Sequence, residues 1–186
     1  MIVAICGQKG TGKSTAAEYV SKAFGFETYA LAQPLKDALK VMFGYCDGQL
    51  NGAAKEYIDS DYGITPREML QTLGTEWGQY ALQQKNETFR YITGRGIWVK
   101  RFQYMVWDPK KDWVISDVRF QHELDELGRL DKTISIRLFR GRRRDPVTDL
   151  HESEDMALRT DYAIFNDSDH TVLYQKLRDI LRAHPS

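Results

Sequence analysis

The chain predicts an α/β fold, a parallel sheet with helices on both faces, and three observations carry that reading. An apolar run, Ile2-Val3-Ala4-Ile5-Cys6, leads through a glycine-rich turn directly into a helix-like stretch. Further on, short apolar segments alternate with amphipathic ones, and such alternation is what a sheet with crossover helices requires. Finally, 186 residues with 42% hydrophobic content suffice for one compact domain with its own core.

The elements follow in order. Residues 2–6 are short and continuously apolar, as in a strand buried on both faces. Residues 13–24 carry Ala17, Val20 and Phe24 at helical spacing toward the sheet, and Gly25 ends the helix. A weaker strand is expected over 27–31. Gln33-Pro34-Leu35-Lys36 then reads as a helix start with proline in the first turn, continuing to about Phe43. Over 44–63 the periodicity dissolves into glycine, aspartate and asparagine, so a connecting loop is expected, with a short helix at 53–58. Thr65-Pro66-Arg67-Glu68 combines a threonine cap, a proline at the first helical position and an acid three residues after the cap. The helix it opens carries the apolar residues Met69, Leu70, Leu73 and Trp77. A further helix spans 97–106, with Trp98, Phe102 and Met105 sharing a face.

Residues 113–117 form an apolar run closed by Asp117, as expected of a buried parallel strand whose C-terminal end meets a ligand. A helix follows over 121–127 and ends near Gly128. Residues 133–139 alternate Ile134, Ile136 and Leu138 and give the clearest period-two strand. An arginine-rich turn, a helix over 150–158, a strand over 162–165 and a closing helix over 171–183 complete the chain. No internal repeat, low-complexity tract or linker interrupts it.

The glycine-rich turn fits the phosphate-loop pattern G-x-x-x-x-G-K-[ST]: Gly7, Gly10, Thr11, Gly12, Lys13, Ser14 and Thr15 occupy it, in the strand, loop, helix context the pattern needs. Glycines let successive backbone N–H groups converge on an anion, and the helix that follows adds positive potential. Lys13 is placed to reach the β- and γ-phosphates and the Ser14 hydroxyl to sit on Mg²⁺. A nucleoside triphosphate, ATP, is the expected ligand.

Asp117 stands where an enzyme with such a loop keeps the carboxylate that holds Mg²⁺, directly or through water; the same residue could accept a proton from, or orient, the attacking phosphate, or merely cap the next helix. Arg119, two residues on, brings a planar guanidinium suited to the equatorial oxygens of a phosphoryl group in transfer. Arg140, Arg142, Arg143 and Arg144 crowd one turn. At least one is expected over the phosphates, with Arg140 in a catalytic role and Arg142 on the nucleotide; a solvated loop or a nucleic-acid contact is the competing account.

Bulk properties exclude several classes. Lys plus Arg and Asp plus Glu each count 26, so net charge is zero, against a protein whose main business is non-specific binding to nucleic acid or an anionic membrane. Cys6 and Cys46 lack metal-type spacing and suit a reducing cytosol. No apolar run is long enough to span a bilayer, and the N-terminal one stops at Gly7, too short for a signal-peptide core, so a cytoplasmic protein is expected.

Together these segments resemble the nucleoside monophosphate kinase superfamily and, more narrowly, the bacteriophage-type deoxynucleoside monophosphate kinases. The resemblance rests on 7–15, 33–39, 70–76, 98–100, 116–119 with His122 and Glu123, and 151–154, which in order and spacing cover nearly the whole chain. It implies a three-layer α/β/α sandwich with a five-stranded parallel sheet, a helical acceptor-binding insertion at about 34–106 and a lid at about 140–158. It also implies ATP and Mg²⁺ as cofactors, a (deoxy)nucleoside monophosphate as substrate, and the host cytoplasm as location for a phage-encoded chain. Carried over by position, Lys9, Leu35, Lys36, Arg67, Gln71, Gly74, Thr75 and Trp98 line the acceptor pocket, with Asp117, Arg119 and Glu123 at its inner wall. Lys36 and Arg67 suit the fixed dianionic phosphate of a nucleotide, and Gln71 a base edge. Singly, each has an ordinary alternative: surface charge for Lys36 and Arg67, a solvated amide for Gln71, core packing for Trp98. The chain lacks a large insertion after Phe43, which leaves base preference open, as are ribose against deoxyribose and homodimerisation. Two rivals remain: a kinase for another small phosphorylated acceptor, phosphomevalonate-like, and a P-loop ATPase stimulated by nucleic acid.

Overall fold

A computed structural model describes residues 1–141 and 158–185. The chain divides into two compact units, Met1–Leu31 with Arg101–Ser186, and Ala32–Lys100.

The first unit is built on β1 (Ile2–Cys6), followed by α1 (Lys13–Phe24) and β2 (Glu27–Tyr29). The second unit contributes α2 (Gln33–Phe43), α3 (Asp47–Leu50), a 3₁₀ turn at Ala54–Glu56, α4 (Pro66–Gln71), a π-helix at Thr72–Ala81, α5 (Leu82–Lys85) and α6 (Glu87–Ile92). Helix α7 (Ile97–Met105) contains the boundary. The first unit resumes with β3 (Trp113–Ile115), α8 (Gln121–Leu130), β4 (Thr133–Phe139), β5 (Tyr162–Phe165) and α9 (His170–Arg182).

The strands form one sheet in the order β2-β3-β1-β4-β5, every pairing parallel. The central strand is β1, which is wholly buried and pairs Ile2 with both Trp113 and Thr133. Because the chain leaves β1 toward one edge and later crosses it to reach the other, the strand order reverses beside β1, and the C-terminal ends of strands at such a point are where α/β sheets bind ligands. The core gathers Val3, Ile5, Ala16, Ala17, Val20, Ile136, Leu138, Leu173 and Leu177, with Phe24 packed against it. Both outer elements of that core, α1 and α9, follow the spacing their sequences set. Among the described residues no helix is long and apolar enough to cross a membrane.

In the second unit Leu39, Tyr45 and Leu50 form a small core against which Phe43, Met69, Leu70 and Leu73 pack. The cap expected at Thr65 is present: its Oγ1 accepts the Glu68 N–H at 3.1 Å, and the Glu68 carboxylate accepts the Thr65 N–H at 2.9 Å.

Four local expectations are corrected. The expected loop over 44–63 contains α3 as well as the 3₁₀ turn. Trp77 is 46% exposed rather than on the apolar face, because hydrogen bonding from residue i to i+5 across Thr72–Ala81 widens each turn and rotates later residues out of α-helical phase. Met105 is likewise exposed, and α7 instead buries Val99 and Phe102. Helix α8 runs through Gly128 to Leu130; a glycine inside a helix costs only about 0.5–1 kcal/mol, less than burial of Leu124 and Leu127 supplies. The helix expected over 150–158 lies almost wholly outside the described residues.

Candidate active site

The phosphate-loop sequence occupies the turn from β1 into α1, at the C-terminal edge of the sheet. Gly7 has φ 144° and Gly12 φ 95°, both in the region closed to most side chains. A Cβ at Gly7 would collide with the Leu138 carbonyl, and one at Gly12 would come 2.5 Å from Asn166 Nδ2. The loop is therefore glycine-dependent both in conformation and in the space its neighbours leave. Thr11 is buried and its Oγ1 donates to the Gln8 carbonyl at 2.9 Å. No acidic residue occupies the first turn of α1, so that turn itself does not offset the positive end of the helix; Ser14 is exposed there and Thr15 half-buried.

Side-chain donors from three parts of the chain converge on the carbonyls of this loop. Lys13 Nζ donates to the Gly7 and Gln8 carbonyls at 2.7 and 2.8 Å. Arg140 Nη1, just past β4, donates to the Gly10 carbonyl at 3.2 Å. Asn166, just past β5, donates from Nδ2 to the Thr11 carbonyl at 2.9 Å. Of the sequence-derived candidates, Lys13 and Arg140 are thus brought to the loop itself. Arg142, with Arg143, Arg144 and the rest of the expected lid from 142 to 157, lies outside the described residues.

At the end of β3, Asp117 Oδ1 accepts the Leu31 N–H at 2.7 Å and ties the ends of β2 and β3 together. Glu123, in the first turn of α8, is 4% exposed, and its Oε2 accepts the Arg119 and Phe120 N–H groups at 2.8 and 3.1 Å. This carboxylate fixes the backbone that carries Arg119. Burial pushes its pKa up from 4.5 to about 7, with the Asp117 charge adding to the shift against the two N–H bonds and Arg119.

The remaining candidates, apart from Lys9 in the exposed part of the loop, belong to the second unit. Lys36 Nζ donates to Asn51 Oδ1 at 2.7 Å. Arg67 grips Glu56 with Nε 2.8 Å from each carboxylate oxygen and Nη2 2.7 Å from Oε1. Gln71 is half-buried at the end of α4. Trp98 Nε1 donates to the Gly74 carbonyl at 2.8 Å and its ring lies where a Cβ on Gly78 would be, so the indole is anchored against the π-helix. Leu35 approaches the same helix at Gly74, and Thr75 is buried within it.

Against known proteins, residues 1–59 match the family model described as deoxynucleotide monophosphate kinase. A protein of Acanthamoeba polyphaga mimivirus named for that same activity is 35% identical over 139 residues, covering 69% of this chain and 70% of its own. The chain belongs to the deoxynucleotide monophosphate kinase family. It is a kinase, and its five-stranded parallel sheet is the fold expected of it. Solved structures to which it is similar include shikimate kinase from Aquifex aeolicus, at 11% identity, 98% of this chain, 97% of that one and a TM-score of 0.48. TT1252 from Thermus thermophilus gives 16%, 100%, 98% and 0.47; at these values both likenesses are loose.

Asn166 is the site residue that sequence reading missed. Its signal was of the kind that singled out Asp117: an apolar strand, Tyr162–Phe165, closed at its C-terminal end by a polar residue.

Proposed function

We propose that this family member transfers the γ-phosphoryl group of ATP to the phosphate of a (deoxy)nucleoside monophosphate, giving the diphosphate for DNA synthesis. The observation that carries the donor half is the phosphate loop: three glycines at positive φ, Gly7, Gly10 and Gly12, between β1 and α1, a first turn of α1 that holds no acid, and Lys13 and Arg140 already on the loop. Family membership supports the acceptor half.

In this reading the 7–15 backbone cradles the triphosphate and Lys13 leaves the Gly7 and Gln8 carbonyls for its β- and γ-oxygens. Arg119 and Arg140 supply charge to the oxygens of the group in transfer, and Glu123 keeps Arg119 in place through the backbone. Lys36 and Arg67 take the acceptor's phosphate. The Arg67 fork on Glu56 supports that role, since guanidinium offers two-oxygen anions the same paired N–H geometry whether they are carboxylate or phosphate. Gln71 reads a base edge. Catalysis comes from positioning and charge, with no covalent enzyme intermediate.

The donor set fits Mg²⁺, a hard cation that takes oxygen ligands and keeps several waters: an exposed Ser14 hydroxyl in the first turn of α1 and the Asp117 carboxylate at a strand end. When bound, the ion neutralises charge on the β- and γ-phosphates; Ser14 and Asp117 are the residues that would hold it.

The test is a coupled assay of diphosphate formation with ATP and each (deoxy)nucleoside monophosphate, run beside non-nucleotide phosphates and beside ATP with DNA or RNA. Turnover of one or more nucleotides is the expected result. Tight ATP binding with turnover only of a non-nucleotide phosphate, or only nucleic-acid-stimulated hydrolysis, would refute the acceptor assignment.

A further inference from the structure

Asn166 is a buried amide at the C-terminal end of β5, 6% exposed, and the kinase reading assigns it no part. Its own backbone is fixed, because its N–H donates to the Phe139 carbonyl at 2.8 Å, continuing the β4–β5 ladder past the Phe139–Phe165 pair. The next residue reinforces this: Asp167 Oδ1 accepts the Gly141 N–H at 2.5 Å. From that rigid point Nδ2 reaches the Thr11 carbonyl, and it occupies the space that a side chain on Gly12 would need.

A trans peptide is planar, with C=O and N–H pointing in opposite directions. Holding the Thr11 oxygen toward Asn166 therefore turns the Gly12 N–H to the opposite side, away from Asn166. Gly12 at φ 95° is the residue through which that peptide joins α1. A carboxamide is suited to this work: it donates to a carbonyl without carrying charge, so an arriving phosphate does not pull it away.

We propose that Asn166 is a positioning residue of the triphosphate site, bracing the Thr11–Gly12 peptide from β5 so that the Gly12 N–H faces the donor's phosphates. This rests on the reading of the loop as the ATP site. The brace acts on the donor alone, so its loss separates the kinetics of the two substrates.

Asn166→Asp keeps the shape but sets an oxygen against the Thr11 carbonyl; Asn166→Ala removes the contact. Both are expected to raise KM for ATP tenfold or more while leaving KM for the acceptor within twofold, and to weaken binding of inorganic tripolyphosphate, read by calorimetry, by a similar factor. ATP and tripolyphosphate affinities within twofold of wild type would overturn the proposal, as would a parallel rise in both KM values with a lowered melting temperature, the mark of a general structural role. Tripolyphosphate binding that depends on Asn166 in a protein that phosphorylates no nucleotide would keep the brace and sink the assigned function. Should neither variant fold, the wild-type protein decides: slow solvent exchange of the Asn166 carboxamide protons, followed by NMR, is required, and exchange as fast as that of an exposed asparagine overturns the brace.

Discussion

Replacing Glu123 by Gln should change the pH dependence of stability in a direction fixed by its burial. The carboxylate is almost wholly enclosed and accepts the Arg119 and Phe120 N–H groups, and its pKa rises from 4.5 to about 7. On raising the pH from 4.5 the unfolded chain releases this proton first, while the folded protein keeps it until about 7. Between those values the native state binds more protons than the unfolded one, so stability is lost as pH rises. At roughly 1.4 kcal/mol for each pH unit of the window, the loss is on the order of 3 kcal/mol. For a chain of this length that corresponds to roughly 6–12 °C in melting temperature. Glutamine retains an oxygen for the two N–H groups and does not titrate. The measurement is the difference in unfolding free energy, wild type minus Glu123→Gln, from pH 4.5 to 8, which cancels the titrating groups that do not interact with Glu123. It should fall by about 3 kcal/mol and level off above pH 7. A difference constant with pH would show that Glu123 ionises normally in the fold and would refute the reasoning.

Further outcomes are expected. Lys13→Ala should lower kcat by at least roughly 10²–10³, the usual cost of removing one donor from a phosphate or oxyanion cradle, with an unchanged circular-dichroism spectrum; full activity would refute the assigned loop. Asp117→Asn keeps an oxygen for the Leu31 N–H and so should fold, but the Mg²⁺ concentration for half-maximal activity should rise roughly 10- to 100-fold. Trp98→Ala removes the indole from the π-helix and its bond to Gly74, and should destabilise the protein to denaturant by about 3 kcal/mol, the low end for tryptophan truncation because the ring is half-buried.

The sequence revealed most where a local rule and a tertiary demand coincide. The strand Thr133–Phe139 is legible because its alternating apolar residues Ile134, Ile136 and Leu138 are all buried, even though Ser135 between them is buried too. The start of α4 is legible because its cap bonds lie within four residues. The phosphate loop is legible because its glycines answer to backbone geometry that only glycine satisfies. Where the cause is distant in sequence, reading failed. Nothing near Trp77 announces that the helix widens to i+5 bonding; the neighbour that closes on it, Trp98, is 24 residues from Gly74. Helices α3, α5 and α6 are four to six residues long, too short for a period to register. Asn166 meets the loop across a separation of 155 residues. Its position at a strand end was visible, but an amide there has many ordinary uses, and only the contact with Thr11 distinguishes them.

The donors around the phosphate loop differ in a way that bears on how the site works. Lys13 and Arg140 are cations resting on carbonyls, and a phosphate oxygen is a stronger partner for either than a neutral carbonyl is. They are therefore the movable members: binding of a triphosphate would draw them from the loop to the ligand, and the loop would lose their support at the moment it must hold its shape. Asn166 has no charge to be drawn by, and its backbone is pinned to β4. The Thr11 hydroxyl on the Gln8 carbonyl is likewise neutral and internal to the loop. A loop supported only by its cations would have to rearrange as they left; one that also has neutral anchors can surrender the cations and keep its N–H groups aimed. If the loop holds a triphosphate as proposed, the relative strengths of these hydrogen bonds divide the labour between charged groups that transfer to the ligand and uncharged groups that stay on the protein, so loss of the neutral anchors should appear in ATP affinity and loss of the cations in kcat.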